Sequence, residues 1–132
     1  MATIRSVKDL KVWRKAMDLT IESYRATARF PDSEKFGLTS QIRRAAASVP
    51  ANIAEGFGRW NQREFSRFLS IASGSARELE THMLIAGRLG YLSVETLNTM
   101  VASVDEVSGM LFALKSKVQN GAEKTKSPQV PS

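Results

Sequence analysis

The chain has no cysteine, which excludes disulfides and thiolate metal sites and is typical of a protein in a reducing compartment. Long apolar runs are also missing. The longest, residues 45–54, is interrupted by Ser48, Pro50 and Asn52, whereas a membrane-spanning helix needs about 20 apolar residues. Residues 1–5 show neither the apolar stretch nor the cleavage pattern of a signal peptide. We therefore expect a cytoplasmic protein with no membrane partner.

Candidate catalytic, metal-binding and cofactor-binding groups are also scarce. The one histidine, His82, follows Glu78 by four residues, which is not the Glu-x-x-His spacing of carboxylate-bridged two-metal bundles. Residues 56–58 form only a Gly-x-Gly fragment with no strand pattern before it, so we interpret them as a helix stop and turn and not as a dinucleotide site. The phosphate-binding pattern Gly-x-x-x-x-Gly-Lys does not occur. We expect no enzymatic activity, and no catalytic, metal-binding or cofactor-binding residue.

Positive charge is in excess. The 19 Lys and Arg against 13 Asp and Glu give a formal net charge of +6, and residues 1–30 alone hold seven basic and three acidic side chains. Such an excess favours a polyanionic partner such as nucleic acid. The alternative is an ordinary solvated surface whose charge serves only solubility.

Apolar residues recur at steps of three and four in four segments, which predicts four amphipathic helices. These helices span about residues 7–29, 36–58, 61–89 and 93–118. Ser6 and Asp9 have the spacing of a capping box at the first start, and Asn61 and Ser93 are the predicted caps of the third and fourth helices. Pro50 lies inside the second segment, but the apolar stripe keeps its phase there. We therefore predict one helix kinked at Pro50 rather than two helices.

The links between the predicted helices are short, and no alternating strand pattern competes with them. Long helices joined by short links are usually antiparallel neighbours. We therefore predict an all-α, antiparallel up-down-up-down four-helix bundle over residues 1–118. A polar segment with glycine and proline follows, so residues 119–132 are predicted to form a disordered tail.

The first helix has two apolar stripes. The longer stripe is expected to face the core and contains Leu10, Trp13, Met17, Ile21, Tyr24 and Ala28. The shorter stripe lies on another face and contains Val12, Leu19 and Ala26. A helix that is apolar on two sides is either deeply buried or faces another subunit. We therefore expect a homo-oligomer.

A group of basic residues is the candidate nucleic-acid site. Arg59, Arg63 and Arg67 step by four beside Trp60, an arrangement that suits phosphate contacts combined with base stacking. If the third helix extends back to Arg59, the three arginines line one helical edge. The alternative is that Trp60 packs under the turn while the arginines pair with nearby glutamates. The remaining candidates for phosphate contact are Lys11, Lys15 and Arg43.

Two polar stripes on the second and third helices form a candidate structural network. Its members are Gln41, Arg44, Asn52, Glu55, Glu78 and Glu80. Because buried polar groups are costly without partners, a hydrogen-bonded ladder of this kind would fix the register of a helix–helix or subunit interface. The alternative is a solvated polar face.

Three segments resemble, in order, the motifs of one family, the four-helix-bundle proteins encoded in 23S ribosomal RNA intervening sequences. The segments are residues 10–19 (LKVWRKAMDL), residues 38–46 and 48–59 (LTSQIRRAA and SVPANIAEGFGR) and residues 74–81 (GSARELET). The resemblance implies a bundle that assembles into a homopentamer, and it implies no catalytic residue. A more distantly similar group serves as accessory proteins of diversity-generating retroelements.

Two functional hypotheses follow from the sequence. The first is a non-enzymatic oligomeric bundle that binds RNA or DNA through basic surface patches. It rests on the net charge, on the arginines beside Trp60 and on the retroelement proteins that the family distantly resembles. The second is a protein–protein interaction scaffold or accessory subunit with no nucleic-acid binding, and it rests on the second apolar faces.

Overall fold

The computed structural model describes residues 4–124, and this part of the chain contains four long α-helices and no strand. The helices are α1 (Lys11–Thr27), α2 (Leu38–Phe57), α3 (Gln62–Arg88) and α4 (Val94–Lys124). Short 3₁₀ turns, Val7–Asp9 and Asp32–Glu34, precede α1 and α2. The prediction of an all-α four-helix protein is confirmed.

Local sequence signals set several of the helix ends. Asn61 Oδ1 and Ser93 Oγ each accept the backbone N–H three residues later, at 3.0 and 3.1 Å, so both predicted caps are present. Gly90 follows α3 with a φ of 80°, a left-handed conformation that glycine adopts without strain. The Ser6 capping box also forms, but it caps the start of the first 3₁₀ turn and not the start of α1. The extended Leu10 separates that turn from α1.

The last helix is longer than the sequence indicates. α4 continues to Lys124, past residue 118, after which the sequence analysis places a disordered tail. Val118 is buried, and Gly121 lies close to the Gln62 side chain at the start of α3, so packing against α3 favours continued helix there. Residues 125–132 of the predicted tail lie outside the described part of the chain.

Contacts between the helices show that each one runs antiparallel to the next. Residues 44, 48 and 56 of α2 contact residues 78, 75 and 68 of α3 respectively, so numbers rise on one helix as they fall on the other. α1 and α2 are antiparallel, because Thr20 contacts Ala46 whereas Thr27 contacts Arg43. α3 and α4 are antiparallel, because Arg77 lies near Asp105 whereas Gly87 lies near Leu97. α1 and α4 are antiparallel as well, because Lys15 lies near Glu106, Leu10 shares a groove with Leu114, and Ala26 shares a groove with Thr96. The starts of α1 and α3 therefore meet the ends of α2 and α4 at one end of the bundle, which we call the α2–α3 end.

The face of α1 that turns to the core differs from the prediction. Met17, Ile21 and Tyr24 of the longer stripe are 37%, 47% and 44% exposed, whereas Val12 and Leu19 of the shorter stripe are buried. The other buried residues of α1 are small or hydroxylated, namely Ala16, Thr20, Ser23 and Thr27. The expectation that the longer stripe faces the core is therefore wrong for most of α1.

The size of the side chains explains this reversal. α1 packs against the alanine-rich α2, where Ala46 is fully buried, and small residues on both helices permit a close approach. The hydroxyls of Ser23 and Thr27 donate to the carbonyls of Leu19 and Ser23 at 2.8 and 2.9 Å, so both are buried with their donors satisfied. A prediction from hydrophobicity alone places the larger side chains in the core, and it therefore selects the face of α1 that is exposed in the structure.

Pro50 lies inside α2, which runs through it as one helix rather than two, while the predicted kink stays a prediction. Proline has no N–H to give to the carbonyl four residues earlier, which here belongs to Ala46. The buried Thr20 of α1 takes over this role, because its Oγ1 donates to Ala46 O at 3.0 Å as well as to Ala16 O at 2.9 Å. α2 therefore stays continuous because the neighbouring helix satisfies the orphaned carbonyl.

We expect Thr20→Val to destabilise the wild type by about 1–3 kcal/mol, because it leaves the Ala46 carbonyl buried without a donor. In a Pro50→Ala background, the new backbone N–H at position 50 can bond to that carbonyl, and the cost of Thr20→Val should fall by about 1 kcal/mol. Urea unfolding of the two single variants and the double variant measures this coupling. Equal costs in the two backgrounds would show that Thr20 does not compensate for Pro50.

Candidate nucleic-acid interface

The fold gathers basic residues that are distant in the sequence. Residues 4–15, 55–67 and 106–121 meet at the α2–α3 end, as the groove lined by Ile4, Phe57 and Val118 illustrates. These segments hold ten Lys or Arg and four Asp or Glu. The rest of residues 4–121 holds seven Lys or Arg and eight Asp or Glu. The positive charge of the described chain is therefore concentrated at one end, where it would attract a polyanion.

Five of the six predicted phosphate-contact residues lie at this end: Lys11, Lys15, Arg59, Arg63 and Arg67. The three arginines do not share one continuous helical edge, because α3 begins at Gln62 and Arg59 belongs to the turn after α2. Arg59 and Arg67 are nevertheless brought together by Phe68, whose ring centre lies 5.2 and 4.5 Å from their guanidinium carbons. Both arginines gain cation–π contacts with this buried ring.

Two of the arginines have carboxylate partners. Arg59 Nη2 lies 3.0 Å from Glu55 Oε2, and Arg67 donates to both oxygens of Glu64 at 3.0 and 3.1 Å. The hydrogen bond from Arg67 lowers the pKa of Glu64 and raises the pKa of Arg67 itself. Exposed pairs of this kind contribute little to stability, so a phosphate can compete for either arginine.

Of the five predicted phosphate-contact residues at this end, Lys11 and Arg63 have no ion pair within the described residues. Arg63 is exposed in the first turn of α3. Lys15, in contrast, lies 3.6 Å from Glu106. Lys11 shares the groove between α1 and α4 with Lys117, a lysine that sequence reasoning missed because only the antiparallel fold brings the end of α4 beside the start of α1.

Arg43 lies away from this group. Its Nε donates to Thr27 Oγ1 at 2.9 Å, its Nη2 donates to the Tyr24 carbonyl at 3.3 Å, and its guanidinium lies over the Tyr24 ring at 4.7 Å. Because α2 runs antiparallel to α1, Arg43 meets the carboxyl end of α1, where carbonyl groups attract a cation. Arg43 therefore serves as a contact between α1 and α2 and lies apart from the other five predicted phosphate-contact residues.

Trp60 is an exposed aromatic side chain at the α2–α3 end, with 62% of its surface accessible. Its ring contacts Phe57, with centres 6.3 Å apart, and Phe57 packs edge-on against Phe65. The alternative in which Trp60 is covered by the turn is not observed, although the predicted pairing of arginines with glutamates is. Trp60 also has a φ of 57°, which is unusual for a bulky residue.

Part of the predicted polar network connects α2 and α3 in one cluster. Arg44 donates to Gln41 Oε1 at 2.8 Å and pairs with Glu78 of α3. Glu78 Oε2 lies 3.4 Å from His82 Nε2. His82 is half-buried, and its Nδ1 has no hydrogen-bond partner within the described residues.

The remaining members of the network are divided. Asn52 donates to the Ser48 carbonyl and hydroxyl at 2.8 and 2.9 Å, and Ser48 bonds to Ser75 of α3 at 2.8 Å. Glu55 pairs instead with Arg59 in the turn that follows α2, and Glu80 pairs with Arg77 of its own helix at 2.9 Å. The ladder therefore holds α2 and α3 together through two separate clusters.

Glu78 gives this interface a pH dependence. Burial alone would raise the pKa of Glu78, but the hydrogen bond and charge of Arg44, with a contribution from His82, hold it below its ordinary value. A depressed pKa means that the ionised carboxylate stabilises the fold above about pH 4.3, and that this contribution is lost as the pH falls through the lower folded-state pKa.

We expect Glu78→Gln to lower the free energy of unfolding at pH 7 by no more than about 1 kcal/mol, because the pair is partly exposed. The difference from wild type should shrink as the pH falls through the lowered pKa of Glu78 in the folded state, because both chains then carry a neutral side chain. Urea midpoints at several pH values measure it, with the exposed Asp18→Asn as the control. A difference that persists unchanged in acid would contradict the ion-pair explanation.

Within residues 4–121, no three His, Cys, Asp or Glu side chains are grouped so that they could hold a metal ion. None of the helices described is long and apolar enough to cross a membrane.

The antiparallel helices define an all-α bundle protein. Residues 8–113 match the 23S rRNA-intervening sequence protein family, and the chain belongs to that family. It is similar to the crystal structure of a protein with unknown function from the S23 ribosomal protein family of Bacteroides thetaiotaomicron, with a TM-score of 0.71 and 22% identity over 79% of this chain and 97% of that chain. This likeness concerns the fold. Among curated proteins, none gives a significant match.

Proposed function

We propose that this chain is a non-enzymatic, cytoplasmic, oligomeric bundle that binds RNA or DNA through the α2–α3 end. The separation of charge carries the proposal. Ten basic and four acidic side chains lie in the segments that form this end, and the rest of residues 4–121 is close to neutral. A field of one sign at one end of a long bundle steers a polyanion to that end and orients it there.

Phosphate contacts supply the binding energy in this proposal. Lys11 and Arg63 are exposed and make no ion pair within the described residues, so they contact phosphates directly. Arg59 and Arg67 exchange their glutamate partners for phosphate oxygens when the ligand arrives. Contacts to phosphates carry no sequence information. The binding is therefore weakly sequence-dependent and strongly salt-dependent.

Oligomerisation strengthens such binding. The outward stripe of α1, with Met17, Ile21 and Tyr24, is apolar and one-third to one-half exposed, which favours its use as a subunit interface. Several copies of the α2–α3 end in one assembly add their weak contacts by raising the effective concentration. By the family resemblance, the assembly is a homopentamer.

The second candidate function is a protein–protein interaction scaffold or accessory subunit. The same observation favours it, because the apolar stripe of α1 can be covered by another protein as well as by a second copy of this chain. A stable self-association through α1 would leave the stripe occupied and would speak against this alternative. A monomer that binds no nucleic acid would favour it.

A charge-reversal experiment tests the proposed function. Lys11→Glu with Arg63→Glu places acidic residues in the first turns of α1 and α3, which helix dipoles tolerate well. We expect this double variant to bind a structured RNA at least about tenfold more weakly at low salt than wild type. The control is Lys35→Glu with Arg88→Glu, which makes the same charge change at the other end and should bind nearly normally. Equal losses in both double variants, or no binding by wild type, would overturn the proposal.

A further inference from the structure

Trp60 marks a second kind of contact at the α2–α3 end, and the inference drawn from it rests on the proposed function. We propose that Trp60 is a stacking platform for an unpaired base, so that this end of the bundle binds single-stranded RNA or DNA in preference to a duplex. The carrying observation is the combination of a left-handed backbone, an exposed indole ring and flanking arginines at one residue.

The backbone of Trp60 is strained, and burial of its side chain does not offset this strain. Its φ of 57° is the only positive value at a non-glycine residue within residues 4–124, and large side chains rarely adopt this conformation. Burial does not compensate, because the side chain is 62% exposed and its ring contact is with Phe57. Strain that is retained at an exposed position points to a functional role.

The other tryptophan provides a comparison inside the same molecule. Trp13 lies in regular α1, is half-buried and packs against the hydrophobic core. Its contribution to stability is therefore evident from its contacts. Trp60 has no such packing, although Phe57 supports its ring from one side and Phe65 supports Phe57 in turn. This row of aromatics holds the indole in place and leaves most of its surface open to solvent.

The neighbours of Trp60 fit the backbone of a single strand. Arg59 precedes it in the turn, and Arg63, which has no ion pair within residues 4–121, follows in the first turn of α3. A base stacked on the indole would place its phosphates near these two guanidinium groups. The bases of a duplex are already stacked and paired, so the ring can add binding energy only where a base is unpaired.

Stacking and phosphate contacts can be separated by substitution. Trp60→Gly removes the ring and fits the left-handed backbone, and Trp60→Asn is a second such variant, since asparagine also tolerates this conformation. Trp60→Tyr keeps an aromatic ring. We expect both ring-less variants to bind a short oligouridylate about tenfold more weakly than wild type at equal salt. Their binding to a duplex of equal length should stay within about twofold, and Trp60→Tyr should lie close to wild type.

Fluorescence gives an independent readout. The chain has two tryptophans, so Trp13→Phe leaves Trp60 as the single emitter. We expect the oligouridylate to quench this emission and the duplex to leave it nearly unchanged, because only an unpaired base can lie on the ring. Circular dichroism and thermal unfolding check that all variants remain folded.

The outcomes distinguish this inference from the proposed function. If the ring-less variants bind the single strand as tightly as wild type, or lose single-strand and duplex binding equally, the stacking role of Trp60 is overturned. The proposed function would still stand if Lys11→Glu with Arg63→Glu weakens binding to both ligands. If wild type binds neither ligand at low salt, the proposed function fails and the stacking role fails with it.

Discussion

Replacing Gly56 with alanine is expected to lower the free energy of unfolding by about 1–3 kcal/mol, even though alanine is the better helix former. A Cβ at this position would lie 2.6 Å from Phe68 Cβ and 3.1 Å from Phe65 Cδ1. The first of these atoms is bound directly to the α3 backbone, so relief requires α2 and α3 to move apart. Gly56 therefore sets the spacing of the two helices at the α2–α3 end.

Gly74→Ala is the matched control for this prediction. Gly74 lies inside α3, and an added Cβ would meet nothing within 4 Å. The same substitution should therefore stabilise the protein by up to about 1 kcal/mol through helix propensity alone. Urea unfolding at one fixed protein concentration measures both variants. A Gly56→Ala protein as stable as wild type would contradict the close approach of α2 and α3.

The second large effect is expected at the outer face of α1. We expect wild type to run as a homo-oligomer in light scattering and Ile21→Glu to run as a monomer with unchanged helix content. Ile21 is 47% exposed in the isolated chain and lies between Met17 and Tyr24 on the outward stripe. Placing a carboxylate in such an interface buries an unpaired charge, which should weaken each contact by at least about 3 kcal/mol, or about a hundredfold.

Val94→Glu is the control for the α1 interface. Val94 is an exposed apolar residue at the start of α4, where a carboxylate is compatible with the helix dipole. This variant should keep the mass of the wild-type assembly. If wild type is itself a monomer at micromolar concentration, or if Ile21→Glu keeps its full mass, the proposal that the α1 stripe joins subunits is contradicted.

The bounds of α2 and α3 could be predicted to within two residues, because local signals determine them. Asn61 and Ser93 each cap a helix where the pattern indicates. The continuity of α2 through Pro50 followed from the phase of its apolar stripe. Its physical basis could not be predicted, because the Thr20 hydroxyl that satisfies Ala46 comes from another helix. Propensity and capping are local, whereas this hydrogen bond depends on the packing of α1 against α2.

Orientation was harder to predict than position. α1 turns its small residues inward because α2 is rich in alanine and the two helices approach closely. A hydrophobicity pattern weighs each side chain alone and so selected Met17, Ile21 and Tyr24 for the core. The same limit applies to Arg43. The sequence shows no partner for this arginine, whereas in the fold its guanidinium contacts Thr27 and the Tyr24 ring.

The α2–α3 end was only partly visible in the sequence. The excess of charge in residues 1–30 and the arginines near Trp60 could be recognised separately. That they lie at the same end follows from the antiparallel topology, which also adds Lys117. The ion pairs of Arg59 and Arg67 could be anticipated from spacing, whereas the left-handed backbone of Trp60 has no sequence signal that we can identify.

The salt dependence of binding tests the central claim most directly. For wild type and a single-stranded oligouridylate, the logarithm of the association constant should fall linearly as the logarithm of the salt concentration rises. Lys11→Glu with Arg63→Glu should reduce the steepness of that line by about 1.4, which corresponds to two lost phosphate contacts on a single strand, and Lys35→Glu with Arg88→Glu should leave it unchanged. A wild-type affinity that does not depend on salt, or an equal change of slope in both double variants, would contradict nucleic-acid binding at the α2–α3 end.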